Sequence, residues 1–223
     1  MSAAVPSGSY VVLLHGYAAH RLMMVPLCRR LQRWGWTSSI WGYPSVRSDI
    51  RDLGERFSEL LCRMDEDPRV AAIHVVGHSM GGIVIRAALS RGEPRKLHRI
   101  VMLAPPNRGS HAARRLARLF ASWSPPLSQL SDTPHSFVQQ LTCDTCRTHE
   151  VGIIRAAWDW VVAPQCTELP CARQTIILPG AHSSILWQPS TAQAVHRFLL
   201  TGSFAQPSPA ADQQATWGSR KGE

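Results

Sequence analysis

Ile73-His74-Val75-Val76-Gly77-His78-Ser79-Met80-Gly81-Gly82-Ile83-Val84-Ile85-Arg86-Ala87-Ala88-Leu89 passes from a β-branched run, through three glycines, into a helix-forming run. The first four residues have the character of a buried strand, and Gly82 to Leu89 continue without a breaker. The change falls at Gly77 to Gly81, which fits G-x-S-x-G on a strand-to-helix turn. A serine on so sharp a turn takes a strained backbone conformation, and side chains two residues before and after it would collide. Glycine at both places relieves that. The hydroxyl then stands at a helix N-terminus, where N–H groups and the helix dipole favour developing negative charge. Ser79 is therefore a candidate nucleophile; the alternative is a tight turn with an idle serine.

Outward from this unit, strand and helix alternate. Tyr10 to Leu14 is a short apolar run stopped at His15-Gly16, as expected of a buried parallel strand. Met24, Leu27, Leu31 and Trp34 recur at helical spacing up to Gly35, and Thr37 to Trp41 gives a second strand. Ile50, Leu53, Phe57, Leu60 and Leu61 make a second helical face; Ala71 to Val76, Ser79 to Ser90 and Ile100 to Leu103 continue as strand, helix, strand. Such alternation predicts right-handed crossovers in an α/β fold, a mostly parallel sheet with helices on both faces. The rhythm then breaks. Residues 105–149 hold Pro105, Pro106, Pro125, Pro126 and Pro134 around a basic amphipathic piece, His111 to Phe120, and a weaker one, Ser136 to Leu141. An excursion this long inside a compact domain reads as a lid over the sheet edge. Val151 to Ala156 and Gln174 to Leu178 resume as strands and Thr191 to Leu200 closes as a helix, making about six strands. The reading is a flexible N-terminus over 1–9, one domain over 10–203 with its lid at 105–149, and a disordered tail over 204–223.

The 223 residues are 44% apolar and 17% charged, enough for one substantial core and against a disordered chain. No apolar run approaches the roughly 20 residues of a membrane-spanning helix. Met1 to Ser9 carries no Lys or Arg and does not read as a secretory leader, so the expected location is cytoplasmic. The formal charge is +9, from 24 Lys and Arg against 15 Asp and Glu. The arginines are scattered, however, and no phosphate loop or interleaved aromatic and basic stripe supports a nucleotide or nucleic-acid partner. Cys28 and Cys62 fall on candidate helices as buried thiols. Cys143, Cys146, Cys166 and Cys171 bracket one strand-loop unit and read as free thiols in a reducing compartment, with disulfides or a four-thiolate zinc site as alternatives. No metal or other cofactor is expected.

A serine nucleophile needs two N–H donors aimed at one point. The Met80 amide, directly after the serine, is the first. The second should come from the loop after a neighbouring strand, and the Tyr17 amide, with Ala18 behind it, is the candidate because Gly16 would let the chain turn sharply. His15 reads as a buried histidine bonded to backbone, with a base as the alternative.

Leu13-Leu14-His15-Gly16, the Gly77 to Gly81 pentad and Leu103-Ala104-Pro105-Pro106-Asn107-Arg108-Gly109-Ser110 together resemble the α/β-hydrolase superfamily, in particular its small bacterial esterase and lipase-like members. The similarity runs from about Val11 to Leu200. It implies a serine, an acid and a histidine in that chain order, and strand-end geometry asks for the last two at later strands on the same sheet edge. Asp159 follows the strand at Val151 and is similar to the family's acid, with Asp132 and Asp144 as rivals away from strand ends. His182 follows the last strand and is similar to the family's histidine. His111 and His135 fall in the excursion, His149 before a strand and His196 inside a helix. The resemblance thus implies a serine esterase working through Ser79, Asp159 and His182 and an acyl-enzyme intermediate. Tyr17, Met80, Trp158, Trp160, Leu186 and Trp187 lie beside these residues in sequence and favour an apolar acyl group, in a small-molecule or lipid ester. The basic face of 111–120, with Arg114, Arg115 and Arg118, suits either an ordinary solvated lid or contact with an anionic lipid surface. No obligate protein partner is implied. An acyltransferase with the same three residues, or a non-catalytic binding protein on the same fold, are the other readings.

Overall fold

A computed structural model describes residues 4–142 and 148–205. The strands β1 (Ser9–Leu14), β2 (Thr37–Trp41), β3 (Ala72–His78), β4 (Leu97–Leu103), β5 (Glu150–Trp158) and β6 (Gln174–Ala181) form one parallel sheet in the order β2-β1-β3-β4-β5-β6. Successive side chains of a strand point to opposite faces, so the unbroken apolar runs of β1, β3 and β4 feed two cores at once. Val12, Leu14, Val75, Ile100 and Met102 meet α2 (Ile50–Glu66) and α3 (Met80–Leu89) on one face. Val11, Leu13, Val76, Val101 and Ile154 meet α1 (Val25–Arg33) and α7 (Pro189–Thr201) on the other. The helical spacing of Ile50, Leu53, Phe57 and Leu61 puts all four at zero exposure against the sheet. Asp49 caps that helix by accepting from the Arg51 amide at 2.7 Å.

The chain leaves β1 toward β2 on one side and returns to β3 on the other. Loops leaving the C-terminal ends of β1 and β3 therefore diverge, and a crevice opens between them, the usual place for a site in a sheet of this kind. Leu14 pairs with Gly77 and His78 with Leu103, which sets the ends of β1, β3 and β4 side by side.

Among the described residues the excursion after β4 carries three helices, α4 (His111–Phe120), α5 (Pro125–Gln129) and α6 (Phe137–Gln140). It is fastened to the body at both ends. Gln129 accepts from the Ile50 amide at 2.8 Å and donates to Asp49 at 2.7 Å, while the buried Arg86 guanidinium donates to the Asn107 and Leu141 carbonyls at 3.0 and 2.9 Å. Three sequence expectations need correction. Phe204 does not open a loose tail: it is buried against Phe198, and its amide donates to Gln174 Oε1 at 2.7 Å. The remaining residues of the expected tail, 206–223, lie outside the described residues. Among the cysteines, Cys171 is disulfide-bonded rather than free and Cys62 is exposed on α2, whereas Cys28 is a free buried thiol and Cys166 is free. Cys143 and Cys146 lie outside the described residues. Among the described residues no helix is long and apolar enough to cross a membrane, and no three His, Cys, Asp or Glu side chains gather as a metal site.

Candidate active site

Ser79 stands between β3 and α3 with φ 52° and ψ −121°, a left-handed backbone that a residue with a Cβ adopts only under constraint. The constraint is visible on each side. Its amide donates to the Leu103 carbonyl at 2.8 Å and its carbonyl accepts from Gly82 at 2.9 Å. A Cβ on Gly77 would lie 2.7 Å from Gly81, Gly82 and Ile85, and one on Gly81 would lie 2.8 Å from the Leu14 and His15 carbonyls. Both flanking glycines are thus required by space, as the pentad predicts. Ser79 is 7% exposed, and among the described residues its hydroxyl makes no hydrogen bond.

Met80 opens α3, so its amide belongs to the first turn, whose N–H groups have no partner within the helix. Its side chain is fully buried in the core beneath α2 and α3 and does not line a cleft, contrary to the sequence expectation. The loop after β1 also differs in detail from that expectation. Gly16 is not the left-handed residue; Ala18 is, at φ 51°. Gly16 is small for a different reason: a Cβ there would sit 3.0 Å from both the Ser79 Cβ and His78 Nδ1. His15 is buried, stacks on Tyr43 at 4.2 Å, bonds Gly16 O through Nδ1 at 2.9 Å and accepts the Tyr43 amide at Nε2 at 3.4 Å. Both ring nitrogens are therefore occupied, Nδ1 carries the proton, and burial holds its pKa below the ordinary value. The alternative of His15 as a base falls away. Tyr17 is half-buried, with its hydroxyl 2.9 Å from Ser124 Oγ.

On the far side of Ser79, Asp159 follows β5 and His182 follows β6. His182 Nδ1 is 2.7 Å from Asp159 Oδ2, and the side chains are 12% and 3% exposed. Asp159 Oδ1 accepts the Val161 and Val162 amides, each at 2.9 Å. Burial pushes the Asp159 carboxyl upward, but the hydrogen bond and charge of His182 and the two amides outweigh it and leave the group below its usual range. Among the described residues His182 Nε2 makes no hydrogen bond. With the carboxylate accepting, Nδ1–H is the donor and Nε2 is the basic nitrogen on the neutral ring.

One contact at this edge has no counterpart in the sequence reading. His78 Nε2 donates to the His182 carbonyl at 2.9 Å, with the two rings 5.0 Å apart, across 104 positions of chain. Burial, reinforced by the nearby His182 ring, pushes the His78 pKa down to about 3, so it is a neutral donor that fixes the backbone of the His182 loop. The rivals are engaged elsewhere. Asp132 pairs with Arg114 at 3.1 Å, and His196 accepts from Trp36 Nε1 at 2.9 Å; Asp144 lies outside the described residues. Of the remaining expected pocket residues, Leu186 is wholly buried beneath α1 and α7 and leaves the site. Trp160 is 87% exposed and projects outward, and Trp158 and Trp187 are also exposed.

A sequence model of the alpha/beta hydrolase family matches residues 11–217. The chain belongs to that family. The alpha/beta hydrolase described here is 27% identical over 102 residues to the Mycoplasma pneumoniae protein named "Putative esterase/lipase 3"; the match covers 45% of this chain and 38% of that relative, well under half its length. Among solved structures it is similar to the mature lipase BlEst2 of Bacillus licheniformis, with a TM-score of 0.67 and 15% identity over 91% of this chain and 95% of that one. It is similar as well to Est1E from Butyrivibrio proteoclasticus, with a TM-score of 0.63 and 17% identity over 88% of each chain. At such identities the likeness is one of fold.

Proposed function

We propose that this hydrolase cleaves carboxylic esters with Ser79 as nucleophile, His182 as base and Asp159 as the group that orients the imidazole. The observation that carries the reading is the His182–Asp159 pair at 2.7 Å, set on the same sheet edge as a serine in the strained conformation of a strand-to-helix turn. Catalytic hydrogen bonds at such a serine commonly tighten only once substrate is in place. His182 Nε2 takes the Ser79 proton as the oxygen attacks the acyl carbon, and the Asp159 carboxylate stabilises the imidazolium. The Met80 and Tyr17 amides receive the oxyanion. The imidazolium then protonates the departing alcohol, and water, activated by the same Nε2, releases the acid. The exposed aromatic residues around this edge and the names of the relatives favour an ester with an apolar acyl group.

The test is pre-steady-state hydrolysis of p-nitrophenyl esters from acetate upward. A nitrophenolate burst stoichiometric with the chain, followed by release of free acid, is expected. Folded protein with no turnover of any ester would overturn the proposal; wholesale diversion of the acyl group to added alcohols would replace it with acyl transfer.

A further inference from the structure

The helix α4 divides its surface three ways. Ala113 and Ala117, one turn apart, turn toward the body, and Ala113 is the one buried residue of the helix. His111, Arg114, Arg115 and Arg118 form a second stripe at helical spacing, and Leu116, Leu119, Phe120 and Trp123 continue a third. An amphipathic helix ordinarily buries its apolar stripe against the protein. Here that stripe faces outward: Leu119 is 76% exposed, and Leu116, Phe120 and Trp123 are exposed with it. Small alanines make the closest contact with the body, and the apolar side chains keep between 44% and 76% of their surface exposed.

The helix is anchored at the candidate active site at both ends. Ser110, its cap, donates to the Val161 carbonyl at 2.6 Å, two residues beyond Asp159. Ser124, just past its end, lies 2.9 Å from the Tyr17 hydroxyl and donates to the Val46 carbonyl at 2.6 Å. The helix, roughly 15 Å long, thus runs from the Asp159 loop to the loop after β1, and Val161, whose carbonyl Ser110 meets, and its neighbour Trp160 are exposed at the first end. Exposed apolar groups in this number on one side of a soluble domain mark an interaction surface. The bordering charge specifies the occupant. Arg115 and Arg118 are exposed and pair with no carboxylate among the described residues, and Arg47 lies 5.0 Å over the Trp123 ring. Aromatic and leucine side chains edged by arginines match the interface of an anionic lipid bilayer, where the apolar groups enter the acyl boundary and the guanidinium groups meet phosphates.

We propose that the outer face of α4, with Trp123 and Trp160, is a docking surface for anionic phospholipid membrane that sets the Ser79 edge against the bilayer. The proposal goes beyond ester hydrolysis and is read without turnover. Full-length protein is sedimented with sucrose-loaded vesicles of phosphatidylcholine alone and of phosphatidylcholine mixed with phosphatidylglycerol, at low and high salt. Binding to the mixed vesicles is expected, weakened by salt and lowered at least about tenfold in Leu119→Glu and in Arg115→Glu/Arg118→Glu. The melting temperature of each variant, and its turnover of p-nitrophenyl acetate, should match the parent. Equal binding to both vesicle types, no binding, or binding unchanged in Leu119→Glu would overturn the proposal. So would a dimer in analytical ultracentrifugation that Leu119→Glu dissolves, since the face would then belong to a second copy. Vesicle binding by a chain that hydrolyses no ester would count against the hydrolase reading and leave the membrane surface standing.

Discussion

Ester turnover is expected to fall by about a thousandfold or more in Ser79→Ala, with a thermal midpoint close to that of the parent. The hydroxyl makes no hydrogen bond among the described residues, so its loss leaves no buried partner unsatisfied. Ser79→Gly should be equally inactive yet more stable than Ser79→Ala by about 1 kcal/mol. The reason is the backbone at φ 52° and ψ −121°, where alanine carries the same Cβ penalty as serine and glycine carries none. A difference of that size is about 2 to 4 °C in midpoint for a domain this long. Calorimetry on both variants checks it. A glycine variant no more stable than the alanine variant would mean that the turn holds no strain.

Acid should destabilise the fold well before carboxylates titrate. Burial pushes His74 and His78 down to about 3; His74 also feels His98 and Arg99, and His78 the His182 ring. In the unfolded chain each takes up a proton near the ordinary value of about 6.5, while in the folded chain each stays neutral until about 3. The unfolded state therefore binds more protons throughout that window, and stability, fully present above about 6.5, is lost as pH falls. Each histidine contributes a slope of about 1.4 kcal/mol per pH unit, so the pair removes about 4 to 5 kcal/mol between about pH 6 and pH 4. That is comparable with the whole stability of many domains, about 5 to 15 kcal/mol. Asp159, held below its usual value, adds a loss in the same direction only at more acidic pH, as it protonates. Urea unfolding as a function of pH measures the slope, and His74→Gln should flatten it by about one proton. A midpoint unchanged from neutrality to about pH 5 would contradict the account.

Local patterns made the strands, the helices and the turn at Ser79 legible, because each depends on neighbours within a few residues. The strand-end positions of Asp159 and His182 were readable from the same alternation, helped by the family's chain order. Side-chain direction at a strand-to-loop passage was not. Met80 directly follows Ser79 and Leu186 lies four positions after His182, but the first turn of α3 and the packing against α7 turn both into the core. In sequence Gly16 reads as a residue that lets the chain turn sharply, whereas its smallness is needed by a neighbour 63 positions away, Ser79. The His78 contact with the His182 loop and the docking of Phe204 on Phe198 and Gln174 are likewise tertiary, and no local periodicity encodes them.

The convergence of Ser79, His182 and Asp159 is tested most directly by treating the folded protein with a fluorophosphonate and mapping the modified peptide by mass spectrometry. The account predicts one adduct, on Ser79, absent in Ser79→Ala and formed far more slowly in His182→Ala. An adduct on any other serine, or a folded chain that takes up no label, would contradict it.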